Sequence, residues 1–179
     1  MKNFFTQGLD EDIKGNYKNA INLYIRSIEG EELCLEAYLN LIGILVEISL
    51  DYGIASELIR NQTYTQEDLN DLSKYLKPLF EKAENHFSSN EIVFWKYYKE
   101  SFFDGLENDR VKEIIEKDDS NLVPYFQLYI EDLVNGNETI LYYHKIVELK
   151  QFLLDKQTIK NKYILSLIEA AENQKNLRV

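Results

Sequence analysis

Proline and glycine are scarce in this sequence, which has two prolines and seven glycines among its 179 residues. Both residue types interrupt regular helices, so their scarcity leaves room for long helical segments. Apolar side chains recur at intervals of three and four positions, as on one face of a helix, rather than at the interval of two typical of strands. The sequence therefore predicts an all-α fold.

Residues that bind metals or act as nucleophiles are also few: the chain has one cysteine, Cys34, and two histidines, His86 and His144. A single cysteine excludes an internal disulfide, and with two histidines it cannot complete a zinc site of the common types. Neither histidine lies in a known nucleophile motif, and there is no glycine-rich phosphate-binding loop. The Glu-x-x-His motif of di-metal helical bundles is absent as well. We expect no metal, no cofactor and no enzymatic activity.

The sequence also has no long apolar run, and its basic residues are fewer than its acidic ones. No stretch of about 18 uncharged apolar residues occurs, so a membrane-spanning helix is not expected. The N-terminal residues contain no apolar block of signal-peptide length, which predicts a cytoplasmic location. Lysine and arginine total 20 against 31 aspartate and glutamate, a net charge of −11 that opposes binding to a phosphate backbone. We therefore expect neither a membrane nor a nucleic acid as partner.

The basic residues that are present are concentrated near the C-terminus. Residues 140–179 carry seven basic and four acidic side chains, whereas the preceding part of the chain is strongly acidic. One interpretation is that the lysines of this region line the solvated side of the last helices, namely Lys145, Lys150, Lys156, Lys160 and Lys162. The other is that this basic end docks on the acidic body of the chain or on an acidic partner.

The first helices can be placed from their capping and turn residues. Residues 17–29 have a clear apolar face and are followed by Gly30, a typical helix-ending residue. Gly15 and Asn16 form a turn that separates this helix from an earlier one. The sequence therefore predicts a helical hairpin over residues 1–30.

Further helices follow along the chain. A second hairpin is predicted from residues 35–50 and a shorter helix near residues 55–60. Thr65 and Asp68 resemble a capping box at the start of the next helix. Pro78 lies inside this helix and should bend or split it, with a kink expected near residues 74–77. The remaining predicted helices cover residues 91–103, 109–116, 122–133, 138–154 and 158–173.

The first hairpin carries a recognisable pattern of small and aromatic residues. Residues 15–29 combine a glycine turn with Ala20 and, four positions later, Tyr24, while Phe4 and Gly8 occupy the preceding helix. This pattern resembles the tetratricopeptide repeat (TPR), a helical hairpin that recurs every 34 residues. Three residues of the pattern recur 34 or 35 positions later: Phe4 as Tyr38, Gly8 as Gly43 and Ala20 as Ala55. Small residues at such positions let two helices approach closely.

The resemblance implies a fold in which antiparallel helical hairpins stack as a short, irregular TPR-like right-handed α-solenoid. Within a single domain covering residues 1–179, residues 1–60 would form two TPR-like hairpins and residues 61–135 degenerate helical repeats. Residues 136–179 would form a C-terminal helical hairpin or cap. The alternative is a non-repeating helical bundle.

The resemblance also implies a function. TPR proteins mostly bind a peptide or a partner protein on the concave face formed by the first helix of each hairpin, so a non-enzymatic protein–protein interaction module is expected. Helical register places the partner-binding residues as follows: Phe5, Leu9 and Asp12 in the first hairpin, Leu39, Gly43 and Val46 in the second, and Trp95 and Phe102 in the helix of residues 91–103. This face lacks the cations with which family members hold a C-terminal carboxylate, so a clamp of that kind is not expected.

Two alternatives remain open. Trp95, the only tryptophan, would be a strong interface anchor if it were exposed, or it fills the core between neighbouring aromatic residues. The function itself has an alternative: an acidic inhibitor or immunity-type protein that neutralises a basic toxin or enzyme, because a strong negative field steers basic partners. In either case the expected partner is a protein or peptide, and the sequence specifies neither its identity nor the oligomeric state of this chain.

Overall fold

The computed structural model describes residues 3–30, 33–50, 56, 58, 60–61, 64–136 and 140–176, and all regular structure within them is helical. The bounded helices are α1 (Phe4–Ile13), α2 (Tyr17–Glu29), α3 (Leu35–Ser49), α4 (Gln66–His86), α5 (Asn90–Ser101), α6 (Asn108–Lys117), α7 (Tyr125–Asn135), α8 (Ile140–Asp155) and α9 (Ile159–Asn176). Among the described residues, no helix is long and apolar enough to cross a membrane. The predicted all-α fold is confirmed for this part of the chain.

The chain divides into two compact units. The first contains the described residues up to Lys99 together with the segment Thr158–Lys160. The second contains Glu100–Gln157 and the described residues from Asn161 onward. The predicted subdivision at residues 60 and 135 stays a prediction.

In the first unit, α1 and α2 pack together as the hairpin predicted from residues 1–30. Gly15 forms the turn with a φ of +81°, a conformation that glycine adopts without steric cost. Gly8 lies at the contact between the two helices, where an added Cβ would be 2.9 Å from the ring of Tyr24. Ala20 is fully buried. The small residues therefore allow the close approach of α1 and α2.

The core of the first unit is built around α3, which packs against α2 and α4. Every residue from Ala37 to Ile48 is buried. A helix that is apolar on all sides must be enclosed by its neighbours, and this explains the long apolar run of α3. Of the shorter helix predicted to complete the second hairpin, Ser56, Leu58 and Arg60 are helical. The predicted bend at Tyr52 and Gly53 and the residue Ala55 lie outside the described residues.

The capping box predicted at the start of α4 is confirmed. The Thr65 hydroxyl accepts a hydrogen bond from the Asp68 main-chain N–H at 3.2 Å, and the Asp68 carboxylate accepts one from the Thr65 main-chain N–H at 2.8 Å. Pro78 lies inside this helix, which nevertheless runs unbroken from Gln66 to His86. The helix is therefore not split at Pro78, since it continues past the one missing N–H donor, and the expected bend near residues 74–77 stays a prediction.

In the second unit, α7 packs against α6 and α8. It begins at Tyr125, later than predicted, and Pro124 is the residue that precedes it. A proline disfavours the helical conformation in the residue before it, so the helix starts only after Pro124. Glu172 accepts hydrogen bonds from the Tyr129 hydroxyl at 2.8 Å and from the Lys150 ammonium at 2.7 Å. Burial and this carboxylate raise the pKa of Tyr129.

The lysines of the basic C-terminal region do not share one environment. Lys156 is exposed, whereas Lys145 and Lys162 are half-buried and Lys150 is paired with Glu172. Lys160 is buried. The interpretation of Lys160 as a solvated lysine is therefore wrong, and its surroundings are the centre of the candidate site.

Candidate functional site

Asp12, near the end of α1, is the first polar residue of the candidate site and is 0% exposed. One of its carboxylate oxygens accepts a hydrogen bond from the Tyr24 hydroxyl at 2.9 Å. The other accepts one from the main-chain N–H of Ile159 at 2.8 Å. Both oxygens of this buried carboxylate thus have a donor, as a buried charge requires.

Tyr24 links Asp12 to α3. Its hydroxyl accepts a hydrogen bond from the side-chain amide of Asn40 at 3.4 Å while donating to Asp12. Burial, together with the negative charge of Asp12, raises the pKa of Tyr24 far above its ordinary value. The phenol therefore stays protonated and keeps donating to the carboxylate.

Gly43 is the contribution of α3 to the site. A Cβ added at this position would lie 2.7 Å from the Cβ of Lys160 and 2.5 Å from its Cγ. Such distances do not occur between real side chains, so the absence of a side chain at Gly43 makes room for the aliphatic part of Lys160. A glycine in the middle of an apolar helix signals close approach, although the sequence suggested another helix and not a lysine side chain.

Glu91, at the start of α5, binds the charged end of the same lysine. The Lys160 ammonium lies 2.5 Å from Glu91 Oε1, and the two side chains are 6% and 11% exposed. The same oxygen accepts a hydrogen bond from the indole N–H of Trp95 at 3.2 Å. Burying two charges is costly, and the direct pairing with an extra hydrogen bond offsets much of that cost.

The candidate site is therefore the set of residues that hold Thr158–Lys160, namely Asp12, Gly43 and Glu91 with their supports Tyr24 and Trp95. Its chemistry is specific: one carboxylate receives a main-chain N–H, a second carboxylate receives an ammonium group, and a glycine accommodates the alkyl chain between them. The arrangement therefore receives an N–H donor and an ammonium group on two separate carboxylates.

The structure places the predicted site residues in three different environments. Asp12, Gly43 and Trp95 are brought together around residues 158–160. Leu39 and Val46 are buried within α3. Phe5 and Leu9 are half-buried on α1, and Phe102 belongs to the second unit, where its ring meets that of Phe103 edge-on.

The expected exposed apolar face needs correction at five of these positions, since α3 is enclosed on all sides and a segment of the chain itself lies against α1 and α5. The buried positions are Asp12, Leu39, Gly43, Val46 and Trp95. For Trp95 the alternative of a core residue agrees with its exposure of 0%. Helical register identifies the residues on one face but does not show what covers that face.

Comparison with known proteins assigns no family to this arrangement. No protein-family model, no curated protein and no solved structure matches the chain. The function must therefore be argued from the residues themselves.

The sequence interpretation missed the residues that hold the site together across long sequence distances. The sequence pattern marks Glu91 only as the start of a helix, and Lys160 only as one lysine of a solvated face. No local pattern distinguishes Lys160 from its neighbours Lys156 and Lys162. A buried lysine is identified by its partner, and Glu91 is far away in the sequence.

A second polar depression, of about 370 Å³, lies between α1 and α2. Its central carboxylate is already bonded within the chain, since Glu11 accepts hydrogen bonds from Lys14, Asn16 and Asn19. These bonds lower the pKa of Glu11, that from Lys14 most strongly. Among the described residues, no group of three or more metal-binding side chains is placed to hold an ion.

Proposed function

We propose that the chain is a non-enzymatic protein–protein interaction module, in which the first helices of TPR-like hairpins hold a segment of a partner protein on one face. The observation that carries this proposal is that α1, α3 and α5 each contribute one residue to holding the same short segment of polypeptide. These residues are Asp12, Gly43 and Glu91. A face built to hold one polypeptide segment has the chemistry to hold another.

The α1–α2 hairpin supports the TPR-like part of the proposal. Gly8 and Ala20 lie where the family has small residues, and Gly8 is in close contact with Tyr24 of the second helix. We extend this local resemblance to the rest of the chain and propose that the later hairpins stack as an irregular right-handed solenoid.

Contact with a partner would begin on α1. Leu9 lies about one turn and Phe5 about two turns before Asp12 on the same side of the helix, and both are partly exposed. Apolar side chains that stay accessible beside a polar site are suited to the apolar part of an interface. Leu9 is the better position for a probe, because the ring of Phe5 lies beside that of Tyr24.

Photo-cross-linking in the native cell tests this proposal. A photoreactive amino acid replaces Leu9 in one variant and Asn22, an exposed residue of α2, in the control. We expect a protein to be cross-linked from position 9 and not from position 22. Equal cross-linking from both positions, or none from position 9, would contradict the assigned face.

The captured protein is then purified and its affinity measured by calorimetry. Leu9→Glu should weaken binding at least about tenfold, because a charge would be buried against an apolar contact. Asn22→Glu adds the same charge at an exposed position and should leave the affinity unchanged. Equal losses in the two variants would indicate a general effect of charge and not a site on α1.

A further inference from the structure

The segment Thr158–Lys160 has the properties of a bound ligand. Ile159 and Lys160 open α9, and all three residues of the segment are buried in the first unit. The segment presents two positively polarised groups, a main-chain N–H at the start of a helix and an ammonium group. Each is received by a separate carboxylate, that of Asp12 for the N–H and that of Glu91 for the ammonium.

We infer that the partner-binding site takes a helix start that carries a lysine, and that residues 158–160 occupy this site as a built-in ligand which the partner replaces. The inference rests on the proposed function and names the class of partner segment. It also makes binding conditional, since the chain's own lysine must leave before another can enter.

Lysine is selected by the shape and charge of the site. Gly43 leaves a narrow space for an unbranched alkyl chain, with Lys160 Cγ only 2.5 Å from the position that a Cβ at residue 43 would take. Glu91 ends that space with its carboxylate, and the oxygen that receives the Lys160 ammonium also accepts a hydrogen bond from the indole N–H of Trp95. The planar guanidinium of arginine suits two oxygens side by side, whereas the ammonium of lysine is a point charge that one oxygen can receive. An acidic segment would meet two carboxylates and be repelled.

Exchange of Lys160 for a lysine of the partner is favoured over departure of Lys160 alone. Removing Lys160 without a substitute would leave the Glu91 charge buried and unpaired, which is strongly destabilising. A second lysine that enters as the first leaves restores the same ion pair. The site is therefore expected to exchange one lysine segment for another and not to stand empty.

A peptide exchange experiment with the full chain tests the inference. The probe is a fluorescent synthetic peptide with the sequence of residues 156–167, and the control peptide has methionine in place of Lys160. Fluorescence anisotropy gives the dissociation constant of each peptide for the wild-type chain and for the Lys160→Met chain. Methionine keeps the alkyl contact with Gly43 and removes only the charge, and both peptides retain Lys156 and Lys162.

We expect the lysine peptide to bind the Lys160→Met chain at least about tenfold more tightly than the wild-type chain, whose own ammonium competes. The methionine peptide should show no such preference. Equal binding of the two peptides to Lys160→Met, or binding of neither, would overturn the inference. A wild-type dimer in ultracentrifugation that dissociates on addition of the lysine peptide would overturn it too, since the site would then serve a second copy of the chain.

A second readout covers the case in which Lys160→Met folds poorly. The melting temperature of this variant is followed by circular dichroism as each peptide is added. The lysine peptide should raise it and the methionine peptide should not, whereas equal effects would contradict the inference. These measurements need no natural partner, so the inference can fail while cross-linking from position 9 still succeeds, and the reverse.

Discussion

At the scale of single residues, the candidate site depends on the missing side chain of Gly43 and on the uncharged hydroxyl of Tyr24. Gly43 lacks the atom that would collide with Lys160, and Tyr24 keeps the proton that it donates to Asp12. Both features can be removed by changing one or a few atoms, so both lead to sharp predictions.

Gly43→Ala should destabilise the chain by about 1–3 kcal/mol, as overpacking of a filled interior does. Alanine would by itself favour the helix by about 1 kcal/mol, so the loss must come from the collision with Lys160. The free energy of unfolding in urea measures the effect. Gly30→Ala is the matched control, since Gly30 has a φ of −75° and the atom nearest to a Cβ added there, the Arg26 carbonyl oxygen, would be 3.4 Å away. Equal free energies of unfolding for the two variants would mean that Gly43 and Lys160 are not in close contact.

Tyr24→Phe should lower the free energy of unfolding at pH 7 by about 1–2 kcal/mol, because it leaves a buried oxygen of Asp12 without its donor. The pKa of Tyr24 is raised in the folded chain above the ordinary value of 10.0. Its contribution is therefore fully present below pH 10 and is lost as the pH rises further, when the unfolded chain releases the proton and the folded chain does not. The difference between wild type and Tyr24→Phe should accordingly shrink above pH 10.

Urea unfolding of both chains between pH 7 and about pH 11 measures this trend. Tyr143→Phe is the control, because Tyr143 is exposed and its substitution should matter little at pH 7. A difference between wild type and Tyr24→Phe that stays constant across pH 10 would show that the buried phenol does not oppose ionisation.

At the scale of helices, local sequence signals were sufficient. The turn at Gly15, the end of α2 at Gly30 and the capping box at Thr65 were all predicted, because each depends on residues within a few positions of one another. The errors have local causes as well. Pro124 delays the start of α7, and Pro78 does not split α4.

Pro78→Ala should stabilise the chain. Proline inside a helix costs about 3 kcal/mol relative to alanine, through the lost N–H donor and a steric clash with the preceding turn. Pro78 is exposed and α4 already runs unbroken through it, so alanine should recover a large part of that cost, about 1–3 kcal/mol. The midpoint of thermal unfolding should rise. Lys77→Ala, at the exposed neighbouring position, should change it little. A fall in the midpoint of Pro78→Ala would mean that a bend at this proline is needed for packing.

Thr65→Ala should cost about 0.5–2 kcal/mol, since it removes the hydroxyl that caps α4. Hydrogen bonds from Thr65, first that of its main chain, lower the pKa of Asp68 from its ordinary value of 3.8. This carboxylate therefore stabilises the folded chain above pH 3.8 and ceases to do so as the pH falls below that value. The cost of Thr65→Ala should be largest near neutral pH and smaller near pH 3, as measured by urea unfolding. Gln66→Ala, which leaves the cap intact, should show no such pH dependence.

At the scale of the whole chain, sequence analysis reached the fold class but not the centre of the candidate site. Gly43 and Asp12 were selected from a helical pattern, yet the residues that meet them, Lys160 and Ile159, come from the far end of the sequence. A lysine is expected in solvent because burying it alone is costly. Only the partner, Glu91, changes that expectation, and no local pattern joins the two residues.

The net charge of −11 is the other property of the whole chain, and it predicts a stability that rises with salt. Several ion pairs on the helix surfaces are exposed: Lys14–Glu11, Lys74–Asp71, Arg110–Glu113 and Lys112–Asp109. Such pairs contribute about 0–1 kcal/mol each and are weakened by salt. The repulsion among the excess carboxylates is screened by the same ions, and the buried pair of Glu91 and Lys160 is screened much less.

Because repulsion acts between many more groups than the exposed pairs do, screening it should dominate. We expect the melting temperature to increase when sodium chloride is raised from about 0.01 M, where the Debye length is about 30 Å, to about 0.15 M, where it is about 8 Å. Glucose at equal osmolality is the control for effects of the solute other than charge. A melting temperature that falls with salt would mean that the surface ion pairs outweigh the repulsion.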